Sequence, residues 1–337
     1  MARPVDISVT RRRLLVATAL GSAAALTGCD LSSTSSPAAS GPSLVTPPAV
    51  SSPDRDLVAA AQASVAVLAD QVRRAGRRHP ALRRRLAPLR DLHAAQASVL
   101  AAALAGSPSP SASSPSATGP ASATPADVAF VVDRGPLPEV ARAEAAWTAD
   151  LTADADTPED GSVARLLAVL AAGTAMTLDP LSRRPLAPTP APDGFGGGVD
   201  LLQQTLATEH AVVYAYGVVG GRTSQSADAE LFAALSAAFD AHRARRDGLE
   251  AAIRSQDSDP VPAEAAYDVA APLTRTEVVA AASGLERAAA EQYAAVVSAA
   301  ATGDRAWAVG LLSDAALRAG RFGLVAEPFF GAPDLAG

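Results

Sequence analysis

Between Val199 and Ala326, apolar side chains recur every three or four residues in four runs joined by a short, a long and a short connection. That periodicity belongs to helices with one buried face. The first run covers about 199–219 and stops at Gly220-Gly221; the second covers about 227–254. A connection of 18 residues, 256–273, carries Pro260, Pro262 and Pro272. It leads to Thr274-Arg275-Thr276-Glu277, spaced as a capping box for a third helix. Gly303 divides that helix from a fourth reaching Ala326. This order of connections predicts a four-helix bundle with one long crossover.

The rest of the chain agrees with an all-α reading. Of 337 residues, 82 are Ala and only 4% are aromatic. Such a composition favours close helix contacts over a sandwich or barrel. Asp54 is placed to cap a helix over about 55–78, broken by His79-Pro80, and a second helix follows over about 81–105. Residues 106–126, rich in Ser, Pro and Ala, cannot bury a core and read as a linker. A third helix starts near Pro138. A fourth starts at Thr157-Pro158, a Thr cap with Pro at the first helical position, and runs to about Leu178. The chain therefore divides into an N-terminal helical block (54–178), a Pro/Gly linker (179–198), the bundle (199–326) and a tail (327–337). The first block has the same loop rhythm as the second, with its linker as the crossover, and reads as a degenerate copy.

Residues 1–28 read as a signal peptide. Arg3, Arg11, Arg12 and Arg13 form its positive end, followed by an uncharged apolar run from Leu14 to Gly28. That run is about 15 residues, short of the ~20 a spanning helix needs. Leu26-Thr27-Gly28-Cys29 resembles a lipobox, small residues before a cysteine that becomes diacylated, with palmitate-type chains. Cys29 is the only cysteine, so the chain holds no disulfide framework and no four-Cys metal site. Thr10-Arg11-Arg12-Arg13-Leu14-Leu15 also resembles a twin-arginine export motif. The expectation is a lipoprotein on the extracytoplasmic face of the cell membrane, with the Ser/Pro-rich residues 29–53 as a flexible tether. The formal charge of −7 becomes more negative once the Arg-rich leader is removed, which argues against a nucleic-acid partner.

Chemistry is expected where polar residues occupy core positions of the bundle. The first helix aligns Leu202, Leu206, Glu209, Val213 and Tyr216. The second aligns Phe232, Leu235, Phe239, His242, Arg246, Leu249 and Ile253. The third aligns Val279, Ala282, Glu286, Ala289, Tyr293 and Val296; the fourth Trp307, Leu311, Asp314, Arg318 and Arg321. Glu209, His242, Arg246, Glu286 and Arg318 are thus expected to point inward at similar depth. Buried charges are costly unless paired, so these residues are expected to form a buried charge network. A ferritin-like di-metal site takes one Glu from each of two helices and a Glu-x-x-His from each of the other two. Here Glu209, Glu286 and His242 match, but Phe239 stands where the Glu before His242 belongs and Leu317 where the second His belongs. The expected reading is a network without cofactor or catalytic residue. The alternative is a weak iron or manganese site at Glu209, His242 and Glu286.

The stretch Glu209-His210-Ala211-Val212-Val213-Tyr214-Ala215-Tyr216-Gly217, then His242-Arg243-Ala244-Arg245-Arg246-Asp247, then Leu285-Glu286 with Tyr293, resembles the domain of unknown function 4439. This family is found in lipoproteins and other proteins of high-GC Gram-positive bacteria. The resemblance covers about residues 199–326. It implies a ferritin-like four-helix bundle and no established activity, so it supplies no catalytic residue.

Arg73, Arg74, Arg77, Arg78, Arg83, Arg84, Arg85 and Arg90 surround the turn at His79-Pro80. The first four suit the C-terminal end of a helix dipole; Arg83–Arg85 do not suit the next N-terminus. A solvated tip is expected, with contact to anionic lipid or a cell-wall polymer as the functional alternative. Tyr214, Tyr216, Tyr267 and Tyr293 are expected to line one end of the second bundle, their hydroxyls satisfying buried carboxylates. No Gly-rich phosphate loop, Ser-His-Asp spacing or metalloprotease helix is present. The expected function is a non-enzymatic, membrane-anchored binding or scaffolding module. The alternative is a ferritin-like metal-binding protein with weak oxidase or iron-handling activity.

Overall fold

The computed structural model describes residues 52–106, 136–182 and 198–335 except 271 and 273, with 186, 189, 195 and 196 from the connection between blocks. The leader with its twin-arginine and lipobox motifs, Cys29, the tether and the body of the 106–126 linker lie outside the described residues. Among the described residues the fold is all-α. The helices are α1 (Ser52–Arg78), α2 (Arg83–Gly106), α3 (Pro136–Asp154), α4 (Gly161–Leu178), α5 (Val199–Gly220), α6 (Ala229–Arg254), α7 (Arg275–Ala299) and α8 (Arg305–Arg321).

Local chemistry explains several boundaries. Thr274 and Glu277 form both bonds of the capping box that opens α7, and Asp228 opens α6 by accepting from the Leu231 N–H at 3.0 Å. Two expected caps are corrected. Thr157 does not start α4; Asp160 does, accepting from the Ser162 N–H at 2.7 Å, while the Thr157 hydroxyl bonds back to the Asp154 carbonyl. Asp54 lies inside the first turn of α1, and its carboxylate accepts the N–H groups of Glu159 (3.1 Å) and Asp160 (2.8 Å) across the block. That grip delays the start of α4 by three residues. At the other end, α8 stops at Arg321 rather than Ala326. Gly323 takes a left-handed φ of 87° and the Leu324 N–H bonds the Ala319 carbonyl, a Schellman-type close.

The helices pair as hairpins. In the first block α1–α2 and α3–α4 meet through α1 against α3 and α2 against α4; in the second, α5–α6 and α7–α8 meet through α5 against α7. The blocks dock through α4, which packs on both α7 and α8 and is almost wholly buried. By length and composition α4 could cross a membrane, but its apolar surface is covered from both sides by protein. Two glycines allow that approach. A Cβ on Gly161 would collide with the Ser298 carbonyl, and one on Gly173 with the Pro328 carbonyl. Arg305, itself buried, donates to the Pro158 and Ala300 carbonyls and ties the α3–α4 turn to the α7–α8 turn.

The expected tail is corrected as well. Phe329, Phe330 and Ala332 are buried, Glu327 pairs with Arg287, and Asp334 pairs with Arg165 of α4. Burial of two aromatic rings holds this segment without any helical periodicity.

Candidate functional site

The core of the second block holds the charges. Glu209 comes from α5, His242 and Arg245 from α6, Glu286 from α7, and Asp314 and Arg318 from α8; none is more than 7% exposed. His242 bridges the two glutamates, with Nδ1 2.8 Å from Glu209 and Nε2 3.4 Å from Glu286. The Tyr216 hydroxyl donates to Glu286 Oε1 at 2.7 Å, and its ring stacks on His242 with centroids 5.5 Å apart. The Tyr293 hydroxyl donates to Glu209 and accepts from Arg245, which also pairs with Asp314. Arg318 Nε completes the chain, 2.8 Å from Asp314.

This corrects one expected member. Arg246 does not enter the core; it lies partly exposed on the helix flank, bonded to Asp247 at 2.9 Å. Its neighbour Arg245 takes the inward position. The true seam of α6 is Leu231, Leu235, Ala238, His242, Arg245, Leu249 and Ile253, so Phe232 and Phe239 also sit on the flank. A step of three from His242 and a step of four both keep a helical stripe. Asp314 and the Tyr293 hydroxyl lie on the Arg245 side, and they decide between the two. The expected inward residues Glu209, His242, Glu286 and Arg318 are brought together. Of the four tyrosines, Tyr216 and Tyr293 reach the carboxylates. Tyr214 and Tyr267 instead form a surface pair, centroids 5.3 Å apart, because Tyr214 points away from the core.

Electrostatics follow the geometry. Three carboxylates face two guanidinium groups and one imidazole, so the formal charges cancel when His242 is protonated. Burial alone would push His242 down, but the flanking Glu209 and Glu286 outweigh it and raise it from 6.5 to about 9. Burial likewise opposes ionisation of Glu209 and Asp314. The charges of His242 and Arg245 on the first, and of Arg245 and Arg318 on the second, hold both below the ordinary carboxylate values. Burial, together with Glu286 and Glu209 respectively, keeps Tyr216 and Tyr293 neutral as donors.

The donor set does not fit a ferritin-like metal centre. A shared metal would need Glu209 and Glu286 on the same nitrogen of His242, yet they flank opposite nitrogens. Tyrosine hydroxyls engage both carboxylates, and within the network only Glu286 Oε2 lacks a hydrogen-bond partner. Among the described residues, no group of three His, Cys, Asp or Glu is arranged to hold a metal ion.

The first block contains a smaller polar cluster that sequence reasoning missed. His93 Nε2 of α2 lies 3.2 Å from Glu144 Oε2 of α3, and Gln96 donates to the Leu170 carbonyl and Thr174 hydroxyl of α4. All are buried, with His93 Nδ1, Gln96 Oε1 and Glu144 Oε1 lacking hydrogen-bond partners. The arrangement parallels the second block. His93-x-x-Gln96 stands on the second helix as His242-x-x-Arg245 does, and Glu144 on the third as Glu286 does. The signal was the shared spacing of three between an imidazole and a long polar side chain.

At the tip, Arg73 and Arg74 pair with Asp70, Arg90 with Asp91, and Arg83 donates to the Gly76 carbonyl at 3.0 Å. Arg77, Arg78, Arg84 and Arg85 are exposed and have no hydrogen bond or ion pair among the described residues.

No curated protein and no solved structure matches this chain. A family model does match residues 201–334, which span the network helices and the packed segment after α8. The family is the one described as Domain of unknown function (DUF4439).

Proposed function

We propose that this protein is a non-enzymatic binding module, held on the extracytoplasmic face of the membrane by acyl chains on Cys29. One observation carries the non-enzymatic part. The acid–base groups of the network are sealed in the core and neutralise one another, and the carboxylates that do line the open grooves, Asp91 and Asp179, are held in ion pairs with Arg90 and Arg321. A catalytic acid or base must come within hydrogen-bond reach of a substrate. The anchor rests on the charged leader, the apolar run and the lone cysteine after Leu26-Thr27-Gly28. Two acyl chains supply the dual signal stable attachment needs. Cys29→Ala is expected to abolish incorporation of labelled fatty acid and block processing at the lipobox. Continued labelling of the variant overturns the anchor.

The ferritin-like metal-binding reading keeps one supporting observation: Glu209, His242 and Glu286 do converge. Elemental analysis of the purified protein tests it. Stoichiometric iron or manganese would replace the structural reading of the network.

A further inference from the structure

The first half of α2, the end of α4 and the end of α8 do not close on one another. Between them lies an open groove of about 800 Å³, within the ~300–1,000 Å³ typical of small-molecule sites. Half-buried Leu181, Leu324 and Pro328 form its accessible apolar walls over the buried Leu89, Leu92 and Met176, and Val325, 81% exposed, stands at the edge. The carboxylates on the lining are already paired, Asp91 with Arg90 and Asp179 with Arg321. Arg84 and Arg85, also on the lining, are exposed and have no ion pair among the described residues. The groove therefore combines an apolar trough with uncompensated positive charge at one end. A ligand answering both features has an acyl chain and an anionic head.

Chain length permits a membrane source. The 27 residues of α1 span about 40 Å from the tether to the basic tip beside the groove. Residues 30–51 can extend to about 75 Å, so an anchor at Cys29 leaves that tip free to reach the same bilayer.

We propose that this groove binds one anionic membrane phospholipid, its acyl chain along Leu181, Leu324, Val325 and Pro328 and its phosphate on Arg84 and Arg85. The proposal deepens the membrane-anchored reading and rests on it for the source of the lipid. It differs from surface attraction at the tip, which would leave the acyl chain in the bilayer.

The test reconstitutes the full lipidated chain in phosphatidylcholine vesicles containing phosphatidylglycerol with a photoactivatable acyl chain. Cross-linked peptides are expected from residues 84–92 and 320–328, suppressed by unlabelled phosphatidylglycerol and not by phosphatidylcholine. Arg84→Gln with Arg85→Gln is expected to lower labelling about 25-fold, about fivefold for each cation removed near a phosphate. Val325→Glu is expected to lower it as well, without changing the circular dichroism, since the site is exposed. Equal labelling by photoactivatable phosphatidylcholine overturns the proposal. Labelling confined to the Arg77–Arg78 tip also overturns it, leaving surface attraction only. If mass spectrometry finds Cys29 unacylated, the anchor reading fails instead, and labelling of the same chain in micelles still decides the groove.

Discussion

Arg245 and Arg246 are adjacent, carry the same charge and fit the same heptad, yet the structure treats them oppositely. Arg245 is enclosed with Asp314 and Tyr293, while Arg246 leans on Asp247 at the surface. Removing one partner of a buried ion pair leaves the other uncompensated, so Arg245→Ala is expected to cost about 3–5 kcal/mol in a denaturant titration. Arg246→Ala is expected to fall within about 0.5 kcal/mol of wild type, because exposed pairs contribute little. A reversed order would move the network back to the flank of α6. His242 makes a second forecast. Its pKa is raised from 6.5 to about 9 in the folded state, so the folded form holds a proton that the unfolded form has lost between those values. The stabilisation is therefore complete below about pH 6.5, declines as pH rises, and is gone above about 9. The slope is about 1.4 kcal/mol per pH unit. Urea midpoints measured from pH 6 to 10 should show this decline in wild type and lose most of it in His242→Gln.

The element that joins the halves is α4. Its apolar composition alone fits a core helix or a membrane span, and the glycines at its contacts settle how it is used. Gly173 faces the Pro328 carbonyl and Gly161 the Ser298 carbonyl at distances that admit no side chain. Gly173→Ala is expected to destabilise the protein by about 1–3 kcal/mol, the usual cost of overpacking, despite the better helix propensity of Ala. An unchanged melting temperature would mean that the C-terminal segment does not lie against α4. The parallel between blocks also lives at this scale. In the first block Gln96 reaches α4 directly; in the second, α6 and α8 stand farther apart, and the longer Arg245 meets Asp314 between them. The separation of the helices matches the reach of the polar side chains that bridge them.

At the scale of the whole molecule, one apolar core runs through both blocks, containing Leu167 of α4, Leu206 of α5 and Leu312 of α8 together. Asp156 adds a polar tie by accepting the Gly303 and Arg305 N–H groups. Calorimetry of the protein is therefore expected to show one cooperative transition with matching calorimetric and van't Hoff enthalpies. Two resolved transitions would mean that the blocks unfold separately. Chelator is expected to leave that transition in place, since the buried charges are compensated by one another; a fall restored by iron or manganese would show a metal binding the native state.

Much of this was legible along the chain. Helical periodicity, the Thr274–Glu277 box and the punctuating Gly and Pro residues specify which segments are helices, because those signals act within one or two turns. The inward depth of Glu209, His242 and Glu286 followed from the same local spacing. The choice of Arg245 over Arg246, the partner of Asp54, the packing of residues 327–335 and the docking of the blocks through α4 did not. Each depends on groups distant in sequence: Asp314 and Tyr293 for the arginine, Glu159 and Asp160 for Asp54, Arg287 and Arg165 for the C-terminal segment. At 3.6 residues per turn, positions three and four after His242 lie about 60° and about 40° to either side of its stripe, and the charge that meets them across the core distinguishes one from the other.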